Sequence, residues 1–193
     1  MKKAGHGIRQ TKVAKKATKT AVTTAKDPMA LKGNGPQSLP RPILEEGRAS
    51  VKVDSRYAKA LRIMTKGGDI AKAYQYLEQA VSEGDGLSIY ALATWRLHGF
   101  HVKRNVREAT RMLRMAAKKD VAWACYDLAY SYLSGNGVKQ SYNEAAKYYL
   151  RAFFLGEPKA ADALEWLFYK HGKSVAGGTI ADEFGRYLAR QGR

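Results

Sequence analysis

The chain has 193 residues, enough for one domain with a tail or one short repeat array, and its 45% hydrophobic content can supply a core. Lys and Arg number 34 against 17 Asp and Glu, a net charge of +17 that attracts nucleic acid, an anionic membrane or an acidic protein without specifying which. A single cysteine excludes an internal disulfide, and no apolar run approaches the ~20 residues needed to span a bilayer.

Residues 1–52 read as a basic, disordered leader and linker. From Met1 to Lys26 there are eight Lys or Arg and no acid, with alanine and valine scattered among threonines. Such a stretch buries too little apolar surface to offset the entropy of ordering it. "GNGPQSLPRP", Gly33 to Pro42, then combines glycine turns with three prolines, as an extended linker does. Three readings of the leader stay open: a solvated tail, an arm on which Lys12, Lys15, Lys16 and Lys19 contact phosphates, and a mitochondrial targeting peptide poor in arginine and serine. "SLPRP" also fits a polyproline groove, a weak pattern.

From residue 53 to 193 the sequence predicts a folded, all-helical region built from repeats. Ala91–Asp120 aligns without a gap on Asp127–Gly156 at an offset of 36, matching Leu92 with Leu128, Leu97 with Leu133, Gly99 with Gly135, Val102 with Val138, Glu108 with Glu144 and Ala116 with Ala152. A further step of 36 back matches Ala73, Leu77 and Ala80 with Ala109, Leu113 and Ala116, and upstream of Ile70 the register breaks as if the first loop were shortened. Each unit reads as a helix with leucine and small residues, a glycine loop, and a second helix with a buried stripe such as Tyr142, Ala145, Ala146, Tyr149, Ala152 and Phe153. In the loop "SGNGVKQS", Gly135 and Gly137 are expected to supply positive φ or close backbone approach, Val138 to sit in the core and Ser141 to serve as an N-cap. A two-helix unit cannot bury its stripe alone, so the units must stack into an α-solenoid.

The stretch "YSYLSGNGVKQSYNEAAKYYLRAFFLGEPKAADAL" resembles a Sel1-like repeat, a relative of the tetratricopeptide repeat, in its Leu–small–Tyr helix, Gly-x-Gly-Val loop and Ala-x-x-Tyr-Tyr helix. Residues 84–120 follow the pattern more loosely, with Arg96 for the tyrosine and Phe100–His101 for Asn–Gly, and the first unit lacks the full loop. The resemblance covers roughly 57–170. It implies a right-handed α-solenoid of about three helix pairs, used in protein–protein interaction or scaffolding. Beyond the repeats, Ala160, Leu164 and Phe168 continue a first helix, and Ile180, Ala181, Phe184, Tyr187 and Leu188 predict a C-terminal capping helix.

Catalytic chemistry is not legible. His6, His98, His101 and His171 lack the Cys or carboxylate spacing that completes a zinc set, so no metal is expected. "HGKS" fails as a phosphate loop because Leu167 stands where the first glycine is required. Glu108 and Glu144 occupy equivalent helix starts, a place for dipole complementation and not for acid–base work. The reading is a non-enzyme with no cofactor. Cys125, inside an apolar helical pattern, reads as a buried thiol in a reducing, cytoplasmic setting.

Function is expected where the second repeat departs from its neighbours. Arg104, Arg107, Arg111, Arg114 and Lys118, spaced 3, 4, 3 and 4, line one helix face beside Lys103, while one repeat later those positions read Gln140, Asn143, Lys147, Leu150 and Phe154. The row reads as a solvated face or as a docking face for acidic protein or phosphate, since the planar guanidinium binds either bidentately. Leu150 and Phe154 either pack under the C-terminal helix or form an exposed patch. Trp95, Trp123 and Tyr130 lie on first helices, which the resemblance implies line a concave surface, where each either anchors a peptide or packs in the core. Three functions follow: an adaptor for an acidic protein partner, a nucleic-acid-associated protein holding phosphates, and an inhibitor or immunity-type binder. Against the second, the arginine row lacks interleaved aromatics.

Overall fold

The computed structural model describes residues 54–175 together with Asp182, Gly185, Arg186 and Ala189. Over them run seven α-helices, α1 (Ser55–Thr65), α2 (Ile70–Ser82), α3 (Gly86–His98), α4 (Val106–Ala117), α5 (Ala122–Ser134), α6 (Tyr142–Phe154) and α7 (Lys159–His171), and then a 3-10 turn, Gly172–Ser174. Each helix packs chiefly on its neighbours in sequence, the arrangement of a solenoid. The tail lysines Lys12, Lys15, Lys16 and Lys19, and the capping pattern from Ile180 to Leu188, lie outside the described residues.

The 36-residue register governs the local chemistry. Asp69, Asn105 and Ser141, each 36 apart, N-cap α2, α4 and α6 with side-chain oxygens, a bond worth about 1 kcal/mol. Gly99 and Gly135 end α3 and α5 in the left-handed region, at φ 78° and 73°. Gly137 also has a positive φ, and Val138 is half-buried. In the core, Ala73, Ala109 and Ala145 and then Ala80, Ala116 and Ala152 are sealed from solvent, with Leu77, Leu113 and Tyr149 between them. These alanines let successive second helices sit close to the next pair. The expected shortening is real: residues 66–69 join α1 to α2, whereas 99–105 and 135–141 join the later pairs.

The two junctions between pairs are filled differently. Between the first and second, Trp95 is fully enclosed, stacks on Tyr74 at 5.9 Å and meets the edge of Phe100 at 4.9 Å. His101 closes this layer 5.3 Å from Tyr74, in the left-handed region at φ 57°. One repeat on, the same four places hold Ser131, Thr110, Asn136 and Gly137. There the backbone closes in: a Cβ on Gly137 would stand 2.4 Å from Thr110 Oγ1 and 2.8 Å from the Val106 carbonyl oxygen. Thr110 Oγ1 donates to the Val106 carbonyl at 2.9 Å and lies 3.3 Å from that of Asn136. One junction is an aromatic plug, and the other a close approach of small residues.

Candidate docking faces

The arginine row is carried by α4, whose opposite side holds Ala109, Met112, Leu113 and Ala116 in the core. Geometry divides the row. Arg104 precedes the helix, and its Nε donates to the Leu97 carbonyl at 3.0 Å. Gln140, its counterpart 36 residues on, does the same to Leu133 at 2.8 Å. Arg104 therefore acts as a backbone clamp at the end of α3, and the face keeps only what remains of its charge. Arg111 grips Glu108 at 2.7 and 3.0 Å, an arrangement repeated by Lys147 with Glu144 at 2.7 Å. The Arg111 side chain holds the Glu108 carboxyl below its ordinary range through that hydrogen bond. Lys103, Arg107 and Lys118 are exposed and carry no ion pair among the described residues. Arg114 is half-buried, and its guanidinium donates to the Tyr132 hydroxyl at 3.2 Å.

That last contact is one the linear reading missed. Tyr132 lies on α5 and stacks on Tyr148 of α6, with centroids 5.6 Å apart and planes 9° from parallel. Aromatics are absent from the row itself, but folding brings two beside it. The available signal was the exchange at the 36-residue step, where Arg96 in the second unit becomes Tyr132 in the third. Arg151, from the same turn of α6 as Tyr148, bonds Asp120 at 2.7 Å.

The expected aromatic and apolar contacts separate by burial. Trp95 is 0% exposed, so it is a packing residue and offers no surface. Leu150 is 7% exposed and packs in the core with Ala163, Leu164 and Leu167, which removes it from any docking patch. Phe154, by contrast, is 66% exposed. Trp123 and Tyr130 are half-buried: Trp123 stacks on Tyr90 at 6.1 Å, and Tyr130 packs against the core around Leu164.

Beside Trp123 the first helices carry a polar cluster that the sequence did not single out. The Tyr90 hydroxyl donates to Asp127 Oδ2 at 2.9 Å, linking α3 to α5. Asp127 is pushed up to about 6, first by loss of hydration and also by the nearby Glu157 carboxylate, with the Tyr90 hydrogen bond opposing. Glu157 is buried and accepts from the Lys159 backbone N–H at 3.2 Å. Cys125 is enclosed near the Ala117 carbonyl, and burial pushes its thiol up to about 11, which makes it inert in the folded state.

The Sel1 repeat family matches residues 63–85, 86–121 and 124–153; the second and third matches follow the α3–α4 and α5–α6 pairs, and the first takes in the end of α1 with α2. The chain carries Sel1 repeats. Sel1 repeats generally mediate protein–protein interaction. A Sel1 repeat protein from Oxalobacter formigenes superposes with a TM-score of 0.54 at 22% identity, over 57% of this chain and 85% of that one. A protective antigen of uropathogenic Escherichia coli strains with an SLR fold gives 0.59 at 24% identity, over 71% of this chain and 30% of that one. Helicobacter pylori cysteine rich protein B gives 0.52 at 25% identity, over 54% and 80%. These likenesses establish the Sel1 fold, and no curated protein matches the chain. Among the described residues no Sel1 helix is long and apolar enough to cross a membrane.

Proposed function

We propose that this protein is a non-catalytic adaptor of the cytoplasm, whose Sel1 solenoid binds an acidic protein segment through the α4 face, with Trp123 and Tyr130 of the first helices as a second contact surface. The observation that carries this reading is the exposed cationic edge of Arg107, Arg111 and Lys118, flanked by Lys103 and present only in the second repeat. Solvent exposure keeps the cations hydrated and their local pairs weak, so a partner carboxylate can compete for them at little cost. Guanidinium groups favour carboxylate through paired hydrogen bonds.

A phosphate backbone is the competing ligand for the same charge. Glu108 holds Arg111 on this face, and beside it Glu144 and Asp120 hold Lys147 and Arg151 of α6. A polyanion with a charge at every step meets these carboxylates unavoidably, whereas a protein segment can place neutral residues opposite them. Pairing of Arg111 with Glu108 leaves Lys103, Arg107 and Lys118 as exposed cations without an ion pair among the described residues, a small number that limits how many counterions a nucleic acid could release here.

Binding of full-length protein to partners captured from extract, with and without nuclease and across a salt series, tests the reading. Partners retained after nuclease and lost on Arg107→Glu with Arg111→Glu support it. Partners that disappear with nuclease, or that follow replacement of Lys12, Lys15, Lys16 and Lys19 by glutamine while ignoring the α4 reversal, would move function to the leader.

A further inference from the structure

Resting on the reading of α4 as a docking face, we infer that the furrow between α4 and α6 seats one large apolar side chain of the acidic partner, on a floor made by Tyr132 and Tyr148. The two helices are joined through α5, which packs against both. Tyr132 and Tyr148 are half-buried there, their rings stacked. On the α4 side Arg114 reaches the rings, and Arg107 and Lys118 lie on the same helix face. On the α6 side stand Lys147, paired with Glu144, and Arg151, paired with Asp120, and the charges of Arg114, Arg151 and the Glu144 carboxylate all reach the Tyr148 hydroxyl.

The chemistry of the occupant follows from this arrangement. Arg114 spends a donor on the Tyr132 hydroxyl, which fixes the guanidinium at the rim of the stacked rings. Half-buried aromatic rings bounded by cations favour an apolar or aromatic group that carries anions on either side. A peptide in which acidic residues bracket a phenylalanine or leucine meets both demands. A nucleotide base could also cover the rings, but a nucleic acid sets a phosphate at every step against Glu144 of α6 and Asp120 after α4, where a peptide can set a neutral residue. Buried anchors surrounded by weaker polar contacts are the usual source of specificity at interfaces.

The probes are two short synthetic peptides of identical acidic sequence, one with a central phenylalanine and one with alanine there, and an oligouridine of equal length. With full-length protein at low salt, the phenylalanine peptide is expected to bind about tenfold tighter than the alanine peptide. Tyr148→Ala should reduce that preference to about twofold or less while leaving the alanine peptide unchanged. Arg107→Glu with Arg111→Glu should weaken both peptides alike. A photoreactive benzoyl group on the phenylalanine gives a readout on the unaltered protein, and cross-links should map to Tyr132, Tyr148 or Arg114. Peptides that bind with no preference, or cross-link at Phe154 or Trp123, overturn the furrow while sparing the α4 face. Failure of both peptides to bind overturns both. Oligouridine binding that depends on Tyr148 overturns the peptide assignment in favour of single-stranded nucleic acid.

Discussion

The second and third repeats share one backbone plan and fill it with opposite chemistry. At matched places 36 residues apart the second has Ala91 and Trp95, and the third has Asp127 and Ser131. Tyr74 stacks on Trp95, and its counterpart Thr110 instead reaches the Asn136 carbonyl. Closure of the first junction comes from the aromatic layer of Trp95, Tyr74, Phe100 and His101. Close backbone approach at Gly137 closes the other, helped by the Tyr90–Asp127 hydrogen bond. A repeat register thus fixes where helices start, stop and meet, and leaves open whether area or proximity joins them.

Substitutions at the matched sites break this comparison in order of expected size. Trp95→Ala removes the centre of the aromatic layer and should cost about 3–5 kcal/mol, whereas Ser131→Ala should cost about 1 kcal/mol or less. Chemical denaturation reads both, and equal losses would show that the two junctions are filled alike. Next, Gly137→Ala should cost about 2–4 kcal/mol, because its Cβ collides with Thr110 and the Val106 carbonyl at an unfavourable φ. Gly67, at φ 66° with open space around it, isolates the conformational part, and its alanine variant should lose only about 1 kcal/mol.

The polar half of the comparison depends on pH. Asp127 has a folded value near 6, raised from 3.8, so between these values the native chain binds more protons than the unfolded one. Stability then falls as pH rises through this window, and the burden is complete above about 6. Asp127→Asn should therefore stabilise by about 1–3 kcal/mol at neutral pH and have little effect near pH 4. A difference between the two proteins that stays flat with pH would refute the raised value. Smallest of all, Arg104→Ala and Gln140→Ala should each cost about 1 kcal/mol, and nearly the same amount, because each removes one side-chain bond to an equivalent carbonyl. Unequal losses would mean that Arg104 does more than clamp α3.

Much of the fold was legible because it repeats. Alanines 36 apart announced the sealed helix contacts, and the Gly99–Gly135 match marked the helix ends. The site was less legible, because the partners of its residues lie in other repeats. Spacing placed Arg104, Arg111 and Arg114 on one row, yet one serves a carbonyl, one a carboxylate and one a tyrosine hydroxyl. Helical periodicity describes direction away from an axis. It carries no information about what a neighbouring unit presents there, which is why Tyr132 and Tyr148 escaped notice. Trp95 stayed open between lining surface and core for a related reason: its cover, Tyr74, comes from the preceding unit.

Cys125, lodged under the last turn of α4 and cut off from solvent, gives the chain an internal clock. An alkylating reagent can reach it only when the third pair swings away from the second, so the labelling rate in native buffer measures how often that junction opens. Followed alongside global unfolding, it would tell whether the solenoid comes apart link by link or as one body.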